Sequence, residues 1–249
     1  MFRKHEQTGP CLLVSLRMKP ANLVGQSETH LCDASDANRL TVSIHRDVVL
    51  PFDELRAAAA GEGFDVAILS GFRGFERQLS IWNRKARGEL AVLDSNATPI
   101  DITTLSEHDL VFSILRWSAL PGASRHHWGT DLDVYDAAAR PTGYVIELVP
   151  NEYDGEGMFS PFSRWLDARI ANGTSFGFFR PYDRDRNGVA PERWHLSYAP
   201  LAKDYEEMLT VDVLRRVVER SEMLLKGVVL ANLDEIMDRF VKNTNPDIP

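Results

Sequence analysis

Two separated segments of this chain carry side chains of the kind that bind metal. One is Ser124-Arg125-His126-His127-Trp128-Gly129-Thr130-Asp131-Leu132-Asp133; the other is Glu192-Arg193-Trp194-His195. They constrain the fold because they are useful only if they meet. A turn through Gly129 followed by a strand would bring His126 and Asp133 to one ion, and His195 would arrive on a neighbouring strand. Two imidazoles and a carboxylate suit zinc, a borderline ion that takes nitrogen and oxygen ligands in tetrahedral geometry. The fourth position would hold a water, whose pKa such an ion lowers from about 15.7 to about 7. Glu192, one turn before His195, would accept that water's proton and later return one to a leaving group.

The rest of the chain fits an α+β plan: a central antiparallel sheet with flanking helices and a helical C-terminal extension. Leu40 to Ile44 alternates and reads as a strand. Pro51 opens a helix through the alanines to Ala60, ended by Gly61 and Gly63. Phe64 to Leu69 reads as a buried strand. A helix from Phe75 to Arg87 has Leu79, Trp82 and Ala86 as its apolar stripe. Ser106 caps another, with Leu110, Val111, Ile114, Leu115 and Trp117 inward. Thr130 to Tyr135 alternates, with Asp131, Asp133 and Tyr135 on one face and Leu132 and Val134 on the other. Gly143 to Val149 and Trp194 to Tyr198 read as strands, and Phe162 to Ile170 as a helix. Beyond Pro200 the periodicity predicts helices over Val211 to Leu225 and Leu230 to Val241. The expected organisation is an N-terminal extension (1–40), a core (41–209) and a C-terminal helical extension (210–249). The extension's apolar faces would pack on the core; a partner or dimer surface is the other reading.

A net charge of -8 and the lack of a long Lys/Arg run argue against a nucleic-acid partner. Apolar runs are too short for a membrane span. The stretch Cys11 to Leu16 is too short for a signal-peptide core and meets Arg17 and Lys19. The expected compartment is therefore the cytoplasm, although a processed envelope protein would read the same way. Cys11 and Cys32 stand either as small apolar side chains or as a disulfide requiring an oxidising compartment. Oligomeric state is not legible. The run Asp183-Arg184-Asp185-Arg186-Asn187-Gly188 starts like a calcium loop, but its twelfth position is Trp194, so it reads as a polar turn.

Each site residue also has an ordinary reading when taken alone: core histidine, solvated glutamate, turn serine. Their joint order is what carries the inference, and it resembles a known family. The zinc D-alanyl-D-alanine carboxypeptidases of the VanY-like group, LAS-type metallopeptidases, share S-x-H-x-x-G-x-x-x-D and E-x-W-H. Ser124, His126, Gly129 and Asp133 fill the first; Glu192, Trp194 and His195 fill the second. Upstream, Phe72-Arg73-Gly74-Phe75-Glu76-Arg77-Gln78 is similar to the family's aromatic–Arg–Ser–x–x–x–Gln stretch. The resemblance covers about residues 64 to 200.

It implies one zinc ion on His126, Asp133 and His195, with Glu192 as the catalytic base. It implies that Arg73 lies by the scissile carbonyl and that Gln78 and Ser124 line the substrate pocket. The implied reaction removes a C-terminal D-Ala from peptidoglycan-type peptides. An L,D-carboxypeptidase, a dipeptidase, an endopeptidase and a non-catalytic zinc-stabilised module are the alternatives. The chain departs from the family at Gly74, where a serine is usual, and at Asp131, where a small residue is usual. Asp131 would touch substrate, hold an arginine or orient a histidine.

Overall fold

The computed structural model describes residues 19–246. Its sheet has four antiparallel strands: β1 (Val66–Ser70), β2 (Asp131–Asp136), β3 (Phe178–Phe179) and β4 (His195–Tyr198), in the spatial order β1-β2-β4-β3. Period-two alternation sorts the strands into a dry face and a polar one. Leu132 opposes Leu196, and with Val134, Val66, Ile68 and Phe178 they form one apolar layer. Phe52 and Leu55 of the helix Val49–Ala60 close over it, as do Phe162 and Leu166 of the helix Ser160–Ala171. On the other face Asp131 opposes Ser197, and Asp133 opposes His195. The expected α+β class with a central antiparallel sheet is what the chain adopts.

A second apolar cluster is helical. Phe75, Leu79 and Trp82 of the helix Phe75–Ala86 meet Val111 and Ile114 of the helix Glu107–Leu115. Ser106 caps the latter by accepting the Asp109 amide. Leu214, Val218, Val229, Leu233, Ile236 and Phe240 join the same cluster from the C-terminal helices. The Trp82 indole N–H reaches across to the Leu224 carbonyl at 3.0 Å. From the N-terminal side, Leu23 and Val24 are buried in this cluster and Leu40 in the first. Among the described residues no helix is long and apolar enough to cross a membrane.

Four expected elements differ, two strands and the two C-terminal helices. Leu40 to Ile44 is not a strand: Leu40 ends a helix, Ala34–Leu40, capped by the Asp33 carboxylate, and Thr41 turns left-handed at φ 64. The amides of Cys32 and Phe72 use the Ile44 and Ser43 carbonyls one at a time rather than as a ladder. Gly143 to Val149 is not a strand either. The Glu152 carboxylate accepts the Glu147 and Val149 amides and the Tyr144 hydroxyl, and Leu148 sits at φ 56. A side chain has replaced the neighbouring strand. The C-terminal helices are shorter than their periodicity suggested. One ends at Arg220; the next stretch divides into Lys226–Ala231, Leu233–Ile236 and a π-turn over Met237–Val241. Ser221, extended at φ -87 and ψ 159, ends the first helix, and Leu225, left-handed at φ 61, precedes the next. Cys32 is half-buried; Cys11, and the disulfide reading with it, lies outside the described residues.

Gly25 joins the N-terminal segment to the site. Its φ is +74, and an added Cβ would clash with the His127 ring, lying 2.7 Å from Cγ and 2.9 Å from Cε1. Its carbonyl accepts the Phe75 amide at 2.8 Å. Gly25→Ala therefore combines left-handed strain with overpacking, and about 2–3 kcal/mol of stability is expected to be lost. A urea unfolding curve with an unchanged slope and a lowered midpoint would show it.

Candidate metal centre

The turn Arg125–Trp128 ends at Gly129, left-handed at φ 69, and delivers the chain into β2. No other residue fits at Gly129: a Cβ would come within 2.7 Å of the His45 backbone nitrogen. His126 thus projects from the turn, Asp133 from β2, and His195 from its register partner on β4. One donor atom from each lies within 4.8 Å of the others, and all three residues are buried. His126 Nε2 is 3.4 Å from Asp133 Oδ2, and His195 Nδ1 is 3.4 Å from Asp133 Oδ1.

The opposite ring nitrogens are committed elsewhere. His126 Nδ1 donates to the Gly71 carbonyl at 2.8 Å, and His195 Nε2 donates to Asp131 Oδ1 at 3.0 Å. Both acceptors fix a proton on the rear nitrogen, so the nitrogens that face Asp133, once rid of any proton, are the ones free to bind a cation. Two imidazole nitrogens and one carboxylate, each braced from behind, fit a borderline divalent cation. Burial alone would lower the His195 pKa, but Asp131, Glu192 and Asp133 outweigh it and push it up to about 10. The local field strongly favours positive charge.

A turn in which the Glu192 carbonyl accepts the His195 amide at 3.2 Å places Glu192 beside the triad. Its Oε2 is 3.1 Å from His195 Nδ1. Arg73 arrives by a different device. The β1–β2 register slips between Ile68 and Ser70, so Ser70 pairs with Asp133 and turns to the polar face. There the Ser70 hydroxyl accepts from Arg73 Nη2 at 3.1 Å, and Gln78 Oε1 accepts from Nη1 at 3.1 Å. The guanidinium is 4.0 Å from Asp133. Gln78 is fully buried, donates to the Ala119 carbonyl at 2.7 Å and stands behind Arg73. Ser124 is buried at the cavity wall.

Asp131 is wholly enclosed. It accepts from Arg125 Nε at 2.8 Å, from His195 and, at 2.7 Å, from the Thr130 hydroxyl. Burial opposes its charge, but Arg125 and then His195 hold the carboxyl well below the usual range. Arg125, which sequence reasoning did not select, continues the chain of contacts. Its Nη1 donates to Glu206 and its Nη2 to Ser197, both at 2.8 Å, and the guanidinium lies 4.8 Å over the Trp128 ring. His127 is structural: its Nδ1 donates to the Arg73 carbonyl and its Nε2 accepts the Gly122 amide.

These groups open on a cavity of about 270 Å³. Arg73, Lys85, Ser124, His126, Asp133 and Glu192 line it, beside the stacked rings of Trp117 and Trp194. Lys85 and Tyr182 were also missed; the Tyr182 ring meets His195 edge-on at 5.1 Å. At the calcium-like run, Asp185 pairs with Arg116 and Asp183 with Arg186, so arginines occupy both carboxylates.

Comparison with known proteins places this chain in a family. The VanY profile, described as D-alanyl-D-alanine carboxypeptidase, matches residues 41–201. An uncharacterized protein of Haemophilus influenzae is 35% identical over 105 residues, 42% of this chain and 72% of that protein. A D-alanyl-D-alanine carboxypeptidase of Enterococcus faecalis is 27% identical over 196 residues, 78% of this chain and 59% of that protein. Among solved structures, VanYB in complex with D-Alanine-D-Alanine has a TM-score of 0.48 at 20% identity, covering 79% of this chain and 92% of that one. Since the matched span takes in the turn, both site strands and the Arg73 stretch, the chain belongs to the VanY family of D-alanyl-D-alanine carboxypeptidases.

Proposed function

We propose that this protein is a zinc-dependent D,D-carboxypeptidase that removes the C-terminal D-Ala from peptidoglycan-type peptides. The observation that carries this reading is the convergence of His126, Asp133 and His195 with Glu192 in one cavity. His126, Asp133 and His195 would hold one zinc ion, which when bound would supply a Lewis acid and make water a stronger acid. The protein's own groups do the rest. Glu192 accepts the proton of the attacking water and passes one to the departing amine. Arg73, fixed by Ser70 and Gln78, presents a preorganised positive charge where the carbonyl oxygen gains negative charge. The Ser124 hydroxyl is offered to the substrate at the cavity wall. Gln78 and Asp131 act at one remove, through Arg73 and His195.

The zinc-loaded protein is expected to release D-Ala from N-acylated D-Ala-D-Ala peptides. Chelation abolishes release and added zinc restores it. Mass spectrometry of products from dipeptide, pentapeptide and muropeptide substrates separates a D,D cut from an L,D, dipeptidase or endopeptidase cut. Stoichiometric zinc with no hydrolysis of any of these would leave a non-catalytic zinc module instead.

A further inference from the structure

Lys85 is out of place for an amphipathic helix. In the helix Phe75–Ala86 it follows Gln78 and Trp82 at the i, i+4, i+7 spacing of a single face. Gln78 and Trp82 are both fully buried. Lys85 itself is half-buried and lines the same cavity as Arg73 and Glu192. Among the described residues the Lys85 ammonium enters no ion pair and no hydrogen bond. Burial lowers its pKa, and only the field of Glu192 opposes this. The other arginines of the cavity have different commitments: Arg125 is engaged with Asp131, Glu206 and Ser197, while Arg73, held through its two Nη atoms by Gln78 and Ser70, keeps its buried Nε unpartnered and is assigned above to the scissile carbonyl. Removing a charge from water without a partner is unfavourable, so a cation held this way is suited to an anion from outside the chain.

We propose that Lys85 is a specificity residue that receives a carboxylate of the substrate. The proposal rests on the peptidase reading above. The carboxylate has two sources: the free C-terminus of the leaving residue, or an acidic side chain on the acyl side of the scissile bond. Both would give a charge-assisted hydrogen bond to the ammonium, and neither requires Lys85 to move a proton. The structural alternative is a lysine that complements the helix C-terminus, where Arg84 also lies.

Two readouts separate these. The first is KM and kcat of the zinc-loaded enzyme on an N-acylated D-Ala-D-Ala peptide, its C-terminal amide, and a matched pair with Glu or Gln preceding the D-Ala residues. The second is calorimetric binding of the same peptides to the zinc-loaded Glu192→Gln protein. Lys85→Met is expected to raise KM and Kd by about 10–100-fold for the acid member of one pair only, with kcat nearly unchanged. Lys85→Arg restores most of the loss. The pair that responds identifies the carboxylate. Equal losses for acid and neutral members, or no loss at all, overturn the proposal, and a lowered melting temperature with no discrimination assigns Lys85 to the helix end. Failure of the peptidase reading looks different: Lys85-dependent binding of the acid peptide without cleavage by the wild-type enzyme overturns the function and leaves this assignment standing.

Discussion

Glu192→Gln lowers kcat by about 10²- to 10⁴-fold while the protein keeps its full complement of zinc. Glutamine preserves the shape of the side chain and removes its basicity. The proposed ligands are three other residues, so the ion stays; metal analysis of the purified variant checks that part. The size of the loss follows from the role: a group that moves a proton in the transition state contributes in this range, whereas one that only binds substrate changes KM. Substrate affinity is therefore expected to hold within a few-fold. An unchanged kcat would move the base elsewhere in the cavity, and loss of zinc would make Glu192 a ligand. Lys85 gives an internal control, because its removal is expected in KM and its kcat stays near wild type.

The juxtaposition of His126, Asp133 and His195 was readable because two local rules suffice. Gly129 permits a left-handed exit from the turn, and period-two alternation puts Asp133 on the face opposite Leu132. Arg73 was readable from motif order, but its orientation was not. That depends on a register slip in β1, and a slip leaves no mark in hydrophobic patterning. Glu206 was hidden for another reason. It is one carboxylate among several on the helix Ala199–Met208, and only the fold brings it to Arg125. The false strand at Gly143 to Val149 shows the limit of alternation. A pattern describes which side chains are apolar; whether a partner strand exists is decided by tertiary neighbours, and here Glu152 took the amides.

Asp131, where this chain departs from the family pattern, supports the second prediction. Asp131→Ala is expected to destabilise the metal-free protein by about 2–4 kcal/mol, because Arg125 loses its fully buried counter-charge and keeps only the partly exposed Glu206. It is also expected to weaken zinc binding by about 10–100-fold, because His195 loses the acceptor that fixes its tautomer and ring orientation. Urea unfolding measures the first effect and competition with a chelator measures the second. The two have different origins, and a double variant separates them. Arg125→Met with Asp131→Leu removes both members of the ion pair and leaves no unpaired arginine. Glu206, partly exposed at 22%, can then be hydrated. Replacing a buried pair by apolar groups is often close to neutral, so most of the stability returns. His195 still has no acceptor behind it, so the zinc defect remains. Recovery of zinc affinity together with stability would mean that Asp131 serves Arg125 alone and that β2 and β4 hold His195 without help.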